Sequence, residues 1–306
     1  MKILVTGGAG FIGSHVVDSY IFLGHDVVIV DNLSTGKKEF INPKAKFYHL
    51  DLLDTKLEDI FKKERFDIVN HHAAQMNVRH SVEDPLFDAR VNILGTLNVL
   101  ENCRKYDLKK IIFASSGGAV YGDQEFYPIK EDVERKPNSP YGMSKKICED
   151  YLSYFNYNHN LKFTALRYPN VYGPRQNPHG EAGVVSIFLS LLMENKNVQI
   201  YGNGNQTRDY VFVQDVVNAN NLVLSKGDNE FFNVSTGIPT NVNQIYEKLK
   251  LMTESKSKAV NIEQKVGDVL RNYLSLDKAR SILNWNYKVS LDEGLDLTYK
   301  WFKENL

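Results

Sequence analysis

The sequence predicts an α/β fold: a doubly wound parallel sheet covered by helices on both faces, followed by a smaller mixed α/β C-terminal lobe. In the first half of the 306 residues, short continuous apolar runs alternate with segments of helical spacing. Continuous apolar strands joined through helices are typical of a parallel sheet that is buried on both faces. Beyond Pro169 the chain changes to loops rich in Pro, Gly and Asn, which indicates a second lobe.

The individual elements follow from these patterns. Apolar runs of strand length lie at residues 3–5, 27–30, 47–50, 68–70, 111–114 and 163–166. Helical spacing is found at 12–22, where Gly24 is suited to end the helix, and at 86–102, 141–157 and 184–195. The apolar stretches 210–213 and 231–234 are expected to return to the first sheet as strands. This predicts a first domain at 1–168 with returning segments near 209–235, and a second lobe at 169–208 and 236–306.

The composition favours a small-molecule partner. Lys and Arg total 37, and Asp and Glu also total 37, so no net charge attracts a nucleic acid or an anionic membrane. No apolar run approaches the roughly 18 residues that span a bilayer. Cys103 and Cys148 lack the spacing of a disulfide framework or a zinc site, which predicts a reducing, cytoplasmic location. His71 and His72 are adjacent on a strand and point in opposite directions, so we expect no metal site.

A glycine-rich turn is the first chemical signal. Gly8, Gly10 and Gly13 match the pattern GxGxxG, and Gly7 provides the alternative GxxGxxG, directly after a strand and before a helix. Backbone amides of such a turn can approach a pyrophosphate, and the helix N-terminus favours negative charge. The alternative is a glycine-rich turn that binds nothing. A strand, a helix and a following acid together favour a dinucleotide.

The following acid decides between two cofactors. Asp31 ends the second strand, near the roughly 20-residue offset at which a carboxylate binds an adenosine ribose. It is expected to accept hydrogen bonds from the ribose hydroxyls and to repel a 2′-phosphate, which predicts NAD rather than NADP. Lys37 and Lys38 lie in the same loop, and their positive charges would favour the 2′-phosphate of NADP. Asp51, at the next strand end, is expected either to face the adenine or to cap a loop. The first domain is therefore predicted to be an NAD-binding Rossmann domain.

Tyr141 and Lys145 are the candidate catalytic pair. The spacing YxxxK occurs four times, but only here does the tyrosine begin a helix after a strand, where its hydroxyl reaches the carboxyl edge of the sheet. Lys145 follows one turn later on the same face. Ionising a tyrosine near neutral pH requires its pKa to fall by roughly 3 units, or about 4 kcal/mol. Lys145 and an oxidised nicotinamide ring are expected to supply this shift. The pair predicts redox chemistry on an alcohol.

These motifs and further ordered blocks resemble the extended short-chain dehydrogenase/reductase family over nearly the full length, and within it the nucleotide-sugar epimerases. The blocks are TGGAGFIGSH, DNLSTG, HHAAQMNVRHSVEDP, VNILGTLNVLE, SSGGAVYG, PYGMSK, RYPNVYGPRQ, VQIYGNGNQTRDYVFVQDV and GDVLRNYL. Together they are far more specific than any single motif. The resemblance implies reversible C4 epimerisation of a UDP-hexose of the glucose/galactose type, through a transient 4-keto sugar, with bound NAD.

The resemblance also implies which residues surround each ligand. Around NAD we expect Gly7, Gly10, Phe11, Ile12, Gly13, Asp31, Asn32, Ser34, Thr35, Gly36, Asp51, Leu52, Ala73, Ala74, Gln75, Asn92, Ser115, Tyr141, Lys145, Tyr168 and Val171. Around the nucleotide sugar we expect Ser116, Tyr141, Asn170, Gly183, Val184, Gln199, Tyr201, Arg208 and Arg271. The guanidinium forks of Arg208 and Arg271 suit a diphosphate, and surface salt bridging is the alternative role.

Departures from the family pattern bear on the reaction. Related 4,6-dehydratases carry an acid and a base where residues 117–119 of this chain read Gly-Gly-Ala, so water elimination is not expected. Many epimerases have a catalytic Ser or Thr at the position of Gly117. Ser116 is the predicted replacement, or else an ordinary loop hydroxyl. Met76 replaces a lysine of some relatives, and Asn272 lies near where relatives set pocket width, so substrate preference is expected to differ.

Other interpretations remain open on the sequence. The sugar is undecided between a plain hexose, an N-acetylhexosamine and a uronic acid, and the base between uracil and thymine. A nucleotide-sugar reductase, which would consume free NAD(P)H, and an inactive dinucleotide-binding scaffold are the other function classes. Relatives dimerise by packing two helices from each subunit, which predicts a homodimer through the helices around 86–100 and 147–157. Intramolecular packing would explain the same apolar pattern.

Overall fold

The computed structural model describes residues 1–179, 183–263 and 269–305. Within these ranges the strands are β1 (Lys2–Thr6), β2 (Asp26–Asp31), β3 (Lys46–His49), β4 (Ile68–His71), β5 (Lys110–Ser116), β6 (Lys162–Tyr168), β7 (Asn170–Tyr172), β8 (Val198–Tyr201), β9 (Thr207–Phe212), β10 (Glu230–Asn233), β11 (Pro239–Asn241), β12 (Ala259–Ile262) and β13 (Arg271–Asn272).

The α-helices in the same ranges are α1 (Phe11–Phe22), α2 (Leu57–Glu64), α3 (Val78–Glu83), α4 (Pro85–Ala89), α5 (Gly95–Lys105), α6 (Pro140–His159), α7 (Val184–Met193), α8 (Val213–Leu222), α9 (Val242–Thr253) and α10 (Leu291–Asn305). A 3₁₀ turn forms at Lys38–Phe40, and π-helical turns form at Arg90–Leu94 and Ala279–Leu283. No helix in the described part of the chain is both long and apolar enough to cross a bilayer.

The first sheet has the predicted doubly wound topology. In the described residues it contains seven parallel strands in the order β3–β2–β1–β4–β5–β6–β10. Side chains alternate along β1: Ile3 and Val5 pack with Val16 of α1 on one face, whereas Leu4 packs with Phe61 of α2 on the other. Because helices cover both faces, the central strands are largely apolar, as the sequence indicated.

The second lobe is built on two small sheets. β9 pairs with β7, β11 and β13, and β8 pairs with β12. Its core contains Leu189 of α7, Ile245 of α9 and Phe302 of α10, packed against Ile200 and Tyr210 of the strands.

One of the two segments that we predicted to return to the first sheet does not do so. The segment 231–234 does return, because β10 pairs with β6, but 210–213 lies largely in β9, at the centre of the second lobe's sheet. What returns after β9 is helix α8, whose Val216 and Val217 join the first core beside Val16. Ala279 and Trp285 of the later chain also reach this core. A short apolar run is compatible with a strand of either sheet, so periodicity alone assigned it to the wrong one.

A buried carboxylate joins α2 to two strands. Glu64 accepts a hydrogen bond from Lys2 of β1 at 2.6 Å and is also bonded by Lys46 and Tyr48 of β3. Burial alone would raise the pKa of Glu64, but these three donors outweigh it and hold the pKa at about 2.

Glu64→Gln is expected to lower the free energy of unfolding at pH 7 by about 2 kcal/mol, because Lys2 and Lys46 lose the negative charge with which they pair. Because the folded pKa is depressed, this contribution is present above about pH 4.5 and disappears as the pH falls through about 2. Urea unfolding of wild type and variant at several pH values measures it. Glu39→Gln, on the exposed 3₁₀ turn, is the control, and an equal effect there would contradict the assignment.

Candidate active site

The predicted site residues gather at the carboxyl edge of the first sheet. β1 lies between β2 and β4 in parallel register, so the chain leaves Thr6, Asp31 and His71 at the same edge. The strand order reverses beside β1, which is where ligands bind in open α/β sheets. Most predicted cofactor residues follow β1 to β4 or lie at the ends of β5 and β6; the others lie in the π-helical turn, on α6 and on β7. The predicted substrate residues lie on β7, β8, β9 and β13, at the start of α7, and at Ser116 and Tyr141.

The glycine turn has no room for side chains. Gly7 has a φ of +69°, and a Cβ there would lie 2.6 Å from the amide nitrogen of Ala73. A Cβ on Gly13 would lie 2.2 Å from the carbonyl oxygen of Gly7. Gly10 precedes α1 without a side-chain cap, so the amides of Phe11 and Ile12 open towards the sheet edge. A turn this tight before an uncapped helix fits a pyrophosphate.

Two backbone amides fix the carboxylate of Asp31 at the end of β2. It is 8% exposed and accepts from the amides of Ala9 at 3.0 Å and Leu33 at 2.8 Å. Gly36 lies against it, because a Cβ there would be 2.9 Å from Asp31 Oδ1. Ser34 and Thr35 complete this loop, in which Asn32 donates to Asp51 at 2.7 Å and joins the ends of β2 and β3. This edge fits an adenosine ribose.

Lys37 is directed away from this carboxylate. Its ammonium lies 3.6 Å from a carboxylate oxygen of Glu39 and 5.5 Å from the centre of the Phe40 ring. The position beside Asp31 therefore favours a ribose diol over a 2′-phosphate.

The segment after β4 faces the glycine turn. Gln75, which follows Ala73 and Ala74, exchanges hydrogen bonds with Asn92: the Gln75 amide donates to Asn92 Oδ1, and Asn92 Nδ2 donates to the Gln75 carbonyl, both at 2.9 Å. Asn92 lies in the π-helical turn between α4 and α5. Such turns are frequent at functional sites because they re-aim a side chain. Leu52 is anchored to α5, since its carbonyl accepts from Asn98 at 2.6 Å.

Tyr141 and Ser116 meet at the end of β5. Tyr141 lies in the first turn of α6, after the capping residue Ser139, and its amide donates to Ser81 of α3. Ser116, the last residue of β5, lies near enough to the Tyr141 phenol to affect its pKa. Burial raises the pKa of Tyr141 to about 12, and Ser116 opposes that rise.

Lys145 does not contact the phenol directly. Its ammonium donates to the Ala114 carbonyl at 2.8 Å and lies 5.9 Å from the centre of the Tyr141 ring. Burial lowers the pKa of Lys145. In the protein without cofactor, the pKa of Tyr141 therefore lies above that of a free tyrosine. We expected Lys145 and an oxidised nicotinamide ring together to lower it.

The backbone explains why Ser116 rather than residue 117 carries a hydroxyl. A Cβ on Gly117 would lie 2.3 Å from Leu274 Cδ1, so a side chain there would require the Leu274 side chain to move. A Cβ on Gly118 would lie 3.8 Å from Ser116 Oγ and 3.9 Å from Asn170 Oδ1, which places both polar groups around one point. Ser116 and Asn170 therefore line the space beside Tyr141.

Asn272 lies against the same turn. Its amide nitrogen donates to the Gly117 carbonyl at 3.3 Å, and its buried oxygen has no hydrogen-bond partner among the described residues. A buried unpaired acceptor calls for a ligand donor or water.

Two groups of predicted residues have partners in the structure that bear on their roles. The hydroxyl of Ser115, which is predicted to lie beside the cofactor, donates to the buried Glu149 at 2.6 Å. Arg208 and Arg271 are predicted to bind the diphosphate. In the backbone register of β9 and β13, Arg208 pairs with Asn272 and Arg271 with Thr207. The roles of all three residues stay predictions.

The remaining predicted residues lie on β6, β7 and β8 and at the start of α7. Tyr168 stacks on His72 at 6.4 Å between ring centres, and Val171 follows it on β7. Gly183 and Val184 begin α7, and Gln199 and Tyr201 lie on β8. The first two residues of the block GDVLRNYL, at 267 and 268, lie outside the described residues.

Sequence reasoning missed residues that the structure brings to the site. Arg79 of α3 crosses the cleft and donates to the Tyr201 hydroxyl at 3.3 Å. Asp88 of α4 lies buried beneath Gln75. The signal for Asp88 was its spacing of four residues from Asn92, which places both on one helical face.

Comparisons with known proteins agree with this geometry. A model of the NAD dependent epimerase/dehydratase family matches residues 3–235. The chain is 47% identical over 303 residues to a putative UDP-glucose 4-epimerase of Methanocaldococcus jannaschii, covering 99% of each chain. A crystal structure of UDP-glucose 4-epimerase with UDP-glucose from Thermotoga maritima matches with a TM-score of 0.98 and 49% identity over 99% of both chains. The UDP-glucose 4-epimerase of Thermus thermophilus in complex with NAD matches with a TM-score of 0.96 and 40% identity over 100% of both.

Gly13→Ala is expected to abolish retention of NAD, because the new methyl group collides with the Gly7 carbonyl and opens the turn. Cofactor released from the purified, denatured protein and quantified by chromatography measures this. Gly95→Ala is the control: its Cβ would lie 3.6 Å from Leu52 Cβ, an ordinary contact. Full retention in Gly13→Ala would refute the pyrophosphate site.

Proposed function

Because the chain belongs to the NAD dependent epimerase/dehydratase family, we propose that it is an NAD-dependent isomerase that interconverts UDP-glucose and UDP-galactose by inversion at C4. The observation that carries this proposal is the placement of Tyr141 in the first turn of α6 and of Ser116 at the end of β5, at the carboxyl edge of the sheet that also carries the glycine turn. The same residues serve the oxidation and the reduction of C4, so the product differs from the substrate only in the configuration at that carbon.

Tyr141 is the proton-transfer group. As a phenolate it removes the proton of the C4 hydroxyl, and as a phenol it returns that proton after the 4-keto sugar has turned. NAD, held by the glycine turn, Asp31 and the Gln75 segment, would supply the hydride acceptor and donor for C4, and its oxidised ring would add a positive charge near the phenol. Ser116 lowers the pKa of Tyr141 and so stabilises the phenolate.

The ionisation of Tyr141 is the demanding step. Lowering the pKa of Tyr141 from about 12 to neutral pH requires a shift of roughly 5 units, or about 7 kcal/mol. A single nearby cation supplies about 1 to 3 units, so Lys145 alone does not close this gap. Several stabilising groups must therefore act together on the phenolate.

The nucleotide is held away from the reacting carbon. Arg208 lies on β9 beside Asn272, and Tyr201 and Gln199 lie on β8, across the cleft from the sheet edge. We assign Arg208 to the diphosphate, since its guanidinium suits phosphate oxygens, and Tyr201 to the nucleoside. Fixing the UDP part leaves the hexose free to turn between Tyr141 and Asn170.

Incubation with UDP-glucose, UDP-galactose, their N-acetylated forms and UDP-glucuronate, followed by NMR, tests the proposal. We expect wild type to interconvert glucose and galactose donors without added cofactor. Tyr141→Phe is expected to retain NAD but to lose about 10³-fold or more in kcat, because no group transfers the proton.

Stoichiometric consumption of NAD(P)H would instead assign a reductase, and a wild type that turns over none of these sugars would refute an enzyme of this class. Tyr246→Phe, which alters another YxxxK tyrosine, is the control. That hydroxyl donates to the Ser257 carbonyl in the second lobe, far from the sheet edge in the fold.

The enzyme is further proposed to be a homodimer in the cytoplasm. Large apolar side chains of α4, α6 and the π-helical turn face outwards, among them Leu86 (82% exposed), Leu94 (53%) and Tyr157 (88%). An exposed apolar surface of this kind is typical of a protein interface, and a second copy with the same surface would cover it by two-fold symmetry. The free, buried thiols of Cys103 and Cys148 suit a reducing compartment.

Leu94→Glu is expected to convert the dimer to a monomer of 35.0 kDa, because it places a charge at the centre of the apolar surface. Light scattering during gel filtration measures the mass. Phe22→Glu, also exposed but at the end of α1, is the control and is expected to remain dimeric. A wild type that elutes as a monomer would refute the interface.

A further inference from the structure

Asp88 is a fully buried carboxylate that the proton-transfer chemistry described above does not use. Its side chain is 0% exposed. One oxygen accepts from Gln75 Nε2 and Asn92 Nδ2, both at 2.9 Å, and the other accepts from Ser144 Oγ at 2.6 Å. All three donors are neutral, and no cation forms an ion pair with Asp88 in the described part of the chain. Burying a charge without a paired cation is costly, so its retention calls for a reason.

The three donors come from three separate elements of the site. Gln75 belongs to the segment after β4, Asn92 to the π-helical turn, and Ser144 to α6, immediately before Lys145. Asp88 therefore connects the segment expected beside the cofactor with the helix that carries Tyr141. The bonds from Gln75 and from Ser144 form this connection, and the bond from Asn92 supports it.

The charge of Asp88 also acts on the reacting groups. The titratable groups around Lys145 are Cys148 and Glu149 of α6, His71 of β4 with the adjacent His72, and Asp88 of α4. Burial lowers the pKa of both histidines to about 3, so they are neutral.

The other carboxylate near Lys145, that of Glu149, already forms ion pairs with arginines. Glu149 is paired with Arg167 at 2.7 Å and with Arg135 at 2.8 Å. Asp88 thus supplies the unmatched negative charge. Its field raises the pKa of Lys145 against the effect of burial and also raises that of Tyr141.

Resting on the proposed function, we propose that Asp88 is a positioning residue with two effects: it fixes Gln75 against α6, and its charge keeps Lys145 an ammonium in the buried site. The first effect holds the cofactor segment in place. The second holds Lys145 positive beside the phenol that must ionise. Asp88 itself contacts neither the sugar nor the reacting atoms.

Asp88→Asn tests both effects, because it keeps the size of the side chain and removes its charge. We expect NAD retained after gel filtration to fall at least severalfold, and kcat to fall about 10- to 100-fold through misplacement of the reacting groups. Loss of a nearby negative charge lowers the pKa of both Lys145 and Tyr141, so both limbs of the pH–kcat profile are expected to move to lower pH by about 1 unit. A purely structural loosening would lower kcat without moving the profile.

Two further variants separate charge from geometry. Ser144→Ala keeps the carboxylate but loses one bond, so kcat is expected to fall about tenfold with an unmoved pH profile. It also tests the positioning effect should Asp88→Asn fail to fold. Asp84→Asn is the matched control, because Asp84 is the exposed N-cap of α4 and Asn caps a helix equally well.

Wild-type NAD retention and an unmoved pH profile in Asp88→Asn would overturn the proposal, as would wild-type kcat in Ser144→Ala. A wild-type enzyme without turnover on any UDP-sugar overturns the proposed function instead. Cofactor retention would then still decide whether Asp88 positions the cofactor segment, since that measurement requires no turnover.

Discussion

The functional edge of this protein depends on one constraint, the parallel register of β1 between β2 and β4. That register brings the ends of all three strands together, and the chain turns there through Gly7 so closely that a Cβ would lie 2.6 Å from the Ala73 amide. The glycine turn, the Asp31 loop and the Gln75 segment are therefore one surface. A displaced β1 would separate them, whatever the residues in each loop.

Buried charged groups hold helix α6 in a fixed position on the sheet. Glu149 and Arg167 are both almost fully buried and bond through two nitrogens, at 2.9 and 2.7 Å. This pair anchors α6 to β6, so that Tyr141 and Lys145 have a fixed support. Asp88 supports the same helix from the other side through Ser144. Buried polar groups of this kind add little net stability but specify one arrangement of a helix that carries reacting groups.

The site also shows how a small residue can relocate a function. Leu274 occupies the space that a side chain at position 117 would need, so glycine fits there without a shift of Leu274, and the neighbouring Ser116 carries the hydroxyl of this turn. Asn272, two residues before Leu274, bonds to the carbonyl of the same glycine. The turn after β5 and strand β13 are therefore matched to each other, and the shape of the sugar pocket depends on both.

The sequence by itself determined the doubly wound sheet and the glycine turn with Asp31, because each depends on local periodicity or on residues adjacent in the chain. The choice of Tyr141 among four YxxxK tyrosines stays a prediction. The tertiary structure decided the assignment of β9 to the second lobe, the hydrogen bond of Ser115 to Glu149 and the pairing of Arg208 with Asn272. These depend on which strand lies alongside which and in what register. A shift of one residue reverses the face on which a side chain emerges, and pairing partners far apart in the chain leave no local pattern that records it.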